Sequence, residues 1–223
     1  MKNILKTLIF DVNETLLDLT PLKQSINKSL GDEQAANIWF AELLQYALVE
    51  SITNSYHDFS KIAASVLAMN ARKNELNFSE ERIKEILEPI NKLSAYPDVK
   101  PGLIQLKNSG YQLIAFSNGK PSVLTEQLEY AGISEYFDSI LSVESVKKYK
   151  PHPETYNYAV KQAGVEKQHA MMVAAHAWDI TGAMRAGLKT AFILRPGKFP
   201  FPLSEKPTFE VRNIEVLASE LKK

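Results

Sequence analysis

From Pro97 onward the chain alternates short apolar runs with amphipathic segments, a pattern that few folds accommodate. The runs are Gln112 to Phe116, Ser139 to Val143, Ala170 to Ala174 and Thr190 to Leu194, each followed by polar or turn-forming residues. All but the last then lead into a helical pattern, at Pro121 to Ala131, Pro153 to Ala163 and Asp179 to Ala186. Short apolar strands joined through helices are the units of a parallel sheet with both faces covered. Gly110, Gly132, Gly164 and Gly187 sit just past helical patterns, where a left-handed C-cap is wanted.

One more run, Ile4 to Phe10, supplies a strand ahead of these. Between it and the Pro97-Asp98-Val99-Lys100-Pro101-Gly102 punctuation the character is different. Phe59, Ile62, Ala63, Val66 and Leu67 recur at helical spacing, and Ile83, Ile86, Leu87 and Ile90 repeat the register. The reading is an α/β core with helices on both faces of a parallel sheet, formed by residues 1–18 and 96–223, and an all-helical unit at 19–95 inserted after the first strand.

With 223 residues and 45% hydrophobic content, the chain can bury a core of this size. Lys+Arg and Asp+Glu both number 26. That balance argues against nucleic acid or an anionic membrane surface as a partner, since both demand a basic excess. The absence of Cys removes disulfides and thiolate metal sites. Ile4 to Phe10 is too short for a signal-peptide core or a membrane span, and Asp11 interrupts it at once. A soluble, cytoplasmic protein is the expectation.

Chemistry collects just beyond the apolar runs. Asp11 comes with Asn13, Glu14 and Thr15. The other runs are followed by Ser117-Asn118-Gly119, by Lys150-Pro151, and by His176 and Asp179 around Trp178. In an open α/β sheet, ligands bind beyond the carboxyl ends of the strands, so four segments deliver polar groups to the edge where chemistry happens. Each alone reads as a turn or a cap; together they read as a site with a carboxylate nucleophile.

These residues resemble the four motifs of the haloacid dehalogenase superfamily of aspartate-nucleophile enzymes: Asp11 to Thr15, Ser117-Asn118-Gly119, Lys150-Pro151, and the segment ending at Asp179. The resemblance covers nearly the whole chain and implies a Rossmann-like core with residues 19–95 as its helical cap. Phosphatases of the superfamily carry a second Asp two residues after the nucleophile as an acid, and here that position is Asn13; Ala175 stands where another acid is usual. Both losses disfavour phosphoryl transfer and the Mg²⁺ it uses. Displacement of halide from carbon needs neither.

Within the superfamily the chain is most similar to the metal-free L-2-haloacid dehalogenases, through Tyr149-Lys150-Pro151 with Tyr156, and Ala177-Trp178-Asp179 with Thr181-Gly182-Ala183 behind. The resemblance implies that Asp11 attacks C2 of a small 2-halo acid and forms an ester, with no cofactor. Thr15, Ser117 and Lys150 would orient the Asp11 carboxylate. Asn118 and nearby backbone N–H groups would hold the substrate carboxylate or halide. Tyr156 and Asp179 would support the network, and Leu44, Phe59 and Trp178 would wall the pocket.

Three positions depart from that family. Phe40 follows Trp39 where the family has an arginine that touches substrate and halide; Asn13-Glu14 replaces an aromatic-Gly pair; and His176 replaces Asn. The last two read as one change, in which Glu14 orients His176 and His176 deprotonates the water that attacks the ester. Two alternatives stay open at this point: a metal-dependent phosphatase-like hydrolase of the same fold, and a binding protein that kept the fold and lost the reaction. Phe199-Pro200-Phe201-Pro202 is either a homodimer contact or a rigid loop.

Overall fold

Strand β1 (Thr7–Phe10) is buried along its whole length, as a strand inside a sheet covered on both faces must be. The computed structural model describes residues 5–222, so Ile4 of the predicted first run lies outside the described residues. Five further strands follow: β2 (Gln112–Ser117), β3 (Ser139–Ser142), β4 (Ala170–Ala174), β5 (Lys189–Ile193) and β6 (Phe209–Val211). All pair in parallel, in the order β3-β2-β1-β4-β5-β6. The chain thus winds outward from β1 in both directions. The crevice at the carboxyl end of β1 is the switch point where such sheets bind ligands.

Between β1 and β2 lies the helical insert: α1 (Thr20–Leu30), α2 (Ala35–Ile52), α3 (Phe59–Lys73), α4 (Glu80–Leu87) and a 3-10 turn at Glu88–Asn91. The predicted stripe on α3 is its buried face, with Ile62, Ala63, Val66 and Leu67 all enclosed and the half-buried Phe59 at one end. Asp58 and Ser79 cap α3 and α4 by accepting from Lys61 N and Arg82 N. Trp39 Nε1 donates to Ala63 O at 3.0 Å and ties α2 to α3. Two strands of chain lead out to the insert and back, and they hydrogen-bond to each other: Asp18 N to Ser94 O and Tyr96 N to Leu16 O, both 2.9 Å.

The core helices are α5 (Val99–Asn108), α6 (Pro121–Tyr130), α7 (Pro153–Ala163), α8 (Ala177–Arg185) and α9 (Ile214–Glu220). Helix α8 begins two residues earlier than the pattern predicts, because extended His176 takes the N-cap position and Asp179 falls inside the first turn. Strand β6 and helix α9 were not anticipated. A three-residue strand shows no periodicity, and a seven-residue helix barely completes two turns. Gly102 marks where α5 meets α9: a Cβ there would lie 2.6 Å from Ile214 Cγ2 and 2.9 Å from its carbonyl carbon. No helix among the described residues is long and apolar enough to cross a membrane.

Candidate active site

Asp11 follows β1 directly, and its amide donates to Val173 O on β4 at 3.0 Å, so the strand pairing itself aims this residue at the crevice. Its carboxylate meets three donors. Lys150 Nζ donates to Oδ1 at 2.9 Å, Thr15 Oγ1 donates to Oδ2 at 2.7 Å, and His176 Nδ1 lies 3.0 Å from Oδ2. Thr15 is itself oriented by Ala175 N, which donates to its hydroxyl at 3.0 Å. Burial pushes the Asp11 carboxyl up, but Lys150 and His176 more than reverse this and hold it well below the usual carboxylate range.

Lys150 is 2% exposed and bridges two acids. Besides Asp11 it donates to Asp179 Oδ2 at 2.6 Å and to Phe116 O at 3.2 Å, which uses all three ammonium protons. Burial disfavours its charge, yet the two carboxylates win and raise its pKa. Asp179 is in turn held by Tyr156, whose hydroxyl donates to Oδ1 at 2.6 Å and to the Asp179 carbonyl at 3.0 Å. Gly182 permits this packing, since a Cβ there would meet Pro151 Cβ at 2.3 Å and Tyr156 Oη at 2.7 Å.

His176 sits between two carboxylates. Nδ1 faces Asp11, and Nε2 lies 3.0 Å from Glu14 Oε2. Both nitrogens can satisfy an anion only if both carry hydrogen, so the ring in this arrangement is imidazolium. Burial works against that charge, but the hydrogen bonds to Asp11 and Glu14 prevail and raise its pKa. Phe40 and Trp178 both stack on the ring, at 5.7 Å and 5.2 Å between ring centroids. An aromatic face favours a cation beside it. Glu14 adopts φ 57, a left-handed conformation that costs a non-glycine residue about 1–3 kcal/mol. It is buried and pairs with Lys23 and with Lys198, the latter at 2.6 Å.

The predicted site residues therefore converge, with one change of partner. Asp11, Asn13, Phe40, Leu44, Phe59, Ser117, Asn118, His176 and Trp178 line one chamber of about 20 Å³. Ser117 does not orient Asp11: its hydroxyl accepts from Gly119 N at 3.0 Å, the geometry of a tight turn closing on itself. Asn118 Oδ1 accepts from Lys150 N at 2.9 Å and so fixes the motif that carries the lysine. Asn13 Oδ1 accepts from Gln127 Nε2 at 3.2 Å.

Three cations escaped the sequence reading. Lys23 arrives from α1, and Arg195 and Lys198 follow β5, the one run whose outer end went unread. Arg195 grips both oxygens of Asp98, at 2.6 and 3.1 Å, and donates twice to Thr15 O, at 3.0 and 2.8 Å. It pins the backbone that presents Thr15. It is the residue directly after the predicted run Thr190 to Leu194.

A buried aspartate at the central strand end, screened by a lysine that a second acid holds in place, is an arrangement able to present an ionised carboxylate to a ligand in the crevice. The sequence matches the model of the family described as haloacid dehalogenase-like hydrolase over residues 8–193, and the chain belongs to that family. It is 29% identical to (S)-2-haloacid dehalogenase 4A of Burkholderia cepacia over 202 residues, covering 90% of this chain and 87% of that one. To the (S)-2-haloacid dehalogenase of Pseudomonas sp. (strain YL) it is 27% identical over 216 residues, covering 96% and 93%. The solved structure of the L-2-haloacid dehalogenase RSc1362 superposes with a TM-score of 0.92 at 26% identity, covering 99% of this chain and 100% of that one.

Proposed function

We propose that this chain hydrolyses L-2-haloalkanoic acids to 2-hydroxy acids, without a metal ion, through an ester on Asp11. The observation that carries the reading is the Asp11 carboxylate, kept ionised by Lys150, Thr15 and His176 at the wall of a small, mostly apolar chamber. An ionised carboxylate stripped of most water is a competent nucleophile toward carbon bearing a halide. Oδ1 has one donor and Oδ2 has two, so Oδ1 is the freer to attack C2. The carbon–halogen bond breaks as the ester forms, and the halide leaves with the electron pair.

Hydrolysis of the ester then falls to His176. Imidazolium cannot take a proton, but esterification erases the Asp11 charge and with it one of the two anions that hold the ring's proton. The Nδ1 proton passes to solvent as the net acid of the reaction, Nε2–H stays hydrogen-bonded to Glu14, and Nδ1 is left as a base facing the ester. Water attacks Cγ and gives its proton to Nδ1, while the Thr15 hydroxyl donates to the oxyanion on Oδ2. The alkoxide leaves with the proton of the new carboxylic acid, which restores ionised Asp11 and imidazolium His176.

In the same proposal residues 19–95 form the cap and residues 1–18 and 96–223 the core, consistent with the hydrogen-bonded neck at Asp18 and Tyr96. Lys150 supplies the positive charge that a metal would otherwise bring. Halide release from L-2-chloropropionate and bromoacetate is expected to be unchanged by EDTA, with the D enantiomer inert; an EDTA-sensitive reaction overturns the metal-free reading.

His176→Ala is expected to release about one halide per enzyme in a burst and then to turn over some 10²–10⁴ times more slowly, the usual worth of a general base. Mass spectrometry of the stalled protein should find the ester. In the unaltered enzyme the burst should hold its rate down to about pH 4, where an ordinary aspartate is half protonated, because Asp11 is held below that range. Steady turnover should instead fall as acid keeps His176 protonated at the ester stage. Repeated turnover by His176→Ala with no trapped ester removes the histidine from the mechanism.

A further inference from the structure

We infer that a second cavity, adjoining the catalytic chamber, receives the carbon chain of the substrate, and that the preferred 2-halo acids carry an alkyl chain several carbons longer than propionate. The inference rests on the dehalogenase reading above for the identity of the reacting end. The catalytic chamber, about 20 Å³, has room for one or two water-sized groups. Beside it, at the junction of cap and core, lies a cavity of about 90 Å³. The two share Asn13, Phe40 and Phe59 as common walls.

The larger cavity is built for hydrocarbon. Leu22, Trp39 and Leu43 face it from the helical insert and Val123 from α6, and no charged side chain among the described residues lines it. Two of its polar side chains already have partners within the protein. Trp39 Nε1 is spent on Ala63 O, and Gln127 Nε2 on Asn13 Oδ1 and Ile90 O. Water entering such a space finds few partners, whereas methylene groups recover the dispersion contacts that an empty cavity leaves unmade. Phe40 borders both spaces. Its aromatic ring stacks on His176 at 5.7 Å and also lines the apolar cavity. The wall that the two spaces share toward the cap is therefore apolar, a surface that an alkyl chain can lie against.

Chain length is then the readout. Each buried methylene is worth about a fourfold gain in affinity. Three of them give on the order of sixtyfold on the same constant. Calorimetric titration of the intact protein with butanoate, hexanoate and octanoate should show Kd falling about fourfold per methylene until the cavity is full. Val123→Phe, which fills the cavity from a half-buried position on α6, should flatten that series. Ser60→Phe, from an exposed position on α3, is the second filling variant should the first fail to fold.

A series already flat in the unaltered protein, or a gradient that neither variant disturbs, overturns the inference. Halide release separates its failure from that of the dehalogenase reading. A kcat/KM for 2-bromohexanoate exceeding that for 2-bromopropionate by tenfold or more, with the ratio collapsing in the filled variants, supports both. Equal release from the two with a flat binding series leaves a dehalogenase without the chain site. A steep binding series with no halide from any substrate leaves the chain site and removes the reaction.

Discussion

Lys150→Met is expected to abolish halide release and to lower the unfolding free energy by about 3–5 kcal/mol, the usual cost of stranding a buried partner charge. The side chain is nearly isosteric, so the effect is electrostatic. Without the ammonium, Asp11 and Asp179 remain buried with no cation between them, and such a pair holds at least one proton near neutral pH. Asp179 keeps its hydrogen bond from Tyr156 and Asp11 keeps Thr15 and His176. The nucleophile nevertheless loses one of the two cations that keep it ionised, and Oδ1 loses the donor that orients it. Thermal denaturation and halide release measured on the same preparation check both halves. A variant that melts normally and still reacts would show that Lys150 is ornamental to this site.

Asp11→Asn is expected to reduce halide release to the level of the buffer, a loss on the order of 10⁵ or more, as for removal of other nucleophiles. An amide has almost no nucleophilicity toward carbon. The fold should survive, because the Thr15 hydroxyl still finds an oxygen and Lys150 still has Asp179. Far-ultraviolet circular dichroism should overlay that of the unaltered protein. Halide release that persists in this variant would move the chemistry to another group and end the aspartyl-ester account.

The fold and the outline of the site were legible for the same physical reason. A parallel sheet buries both faces of its strands, so strands appear as apolar runs, and the polar residues that end them mark the reactive edge. Asp11, Lys150, His176 and Asp179 were found that way, and the left-handed C-caps at Gly110, Gly132, Gly164 and Gly187 all adopt positive φ. What stayed hidden depends on groups far apart in the chain. Lys23 and Lys198 meet on Glu14 from α1 and from the loop after β5, and no spacing announces that. The protonation of His176 was equally illegible. A histidine near one glutamate reads as a base, and only the second carboxylate, 3.0 Å from the other ring nitrogen, turns it into a cation at rest. The stack of Phe40 on that ring was equally hidden, since the two lie 136 residues apart in the chain.

A single turnover in water enriched in ¹⁸O reports whether a covalent ester forms on Asp11. With enzyme in excess over L-2-chloropropionate, water attack at Cγ places the label in the Asp11 carboxylate, and the hydroxy acid leaves with an oxygen that belonged to the protein. Mass spectrometry should find the label in the peptide containing Asp11 and none in the product. Label in the product of that first turnover, with the Asp11 peptide unlabelled, would mean that water attacks the substrate directly and that no ester forms.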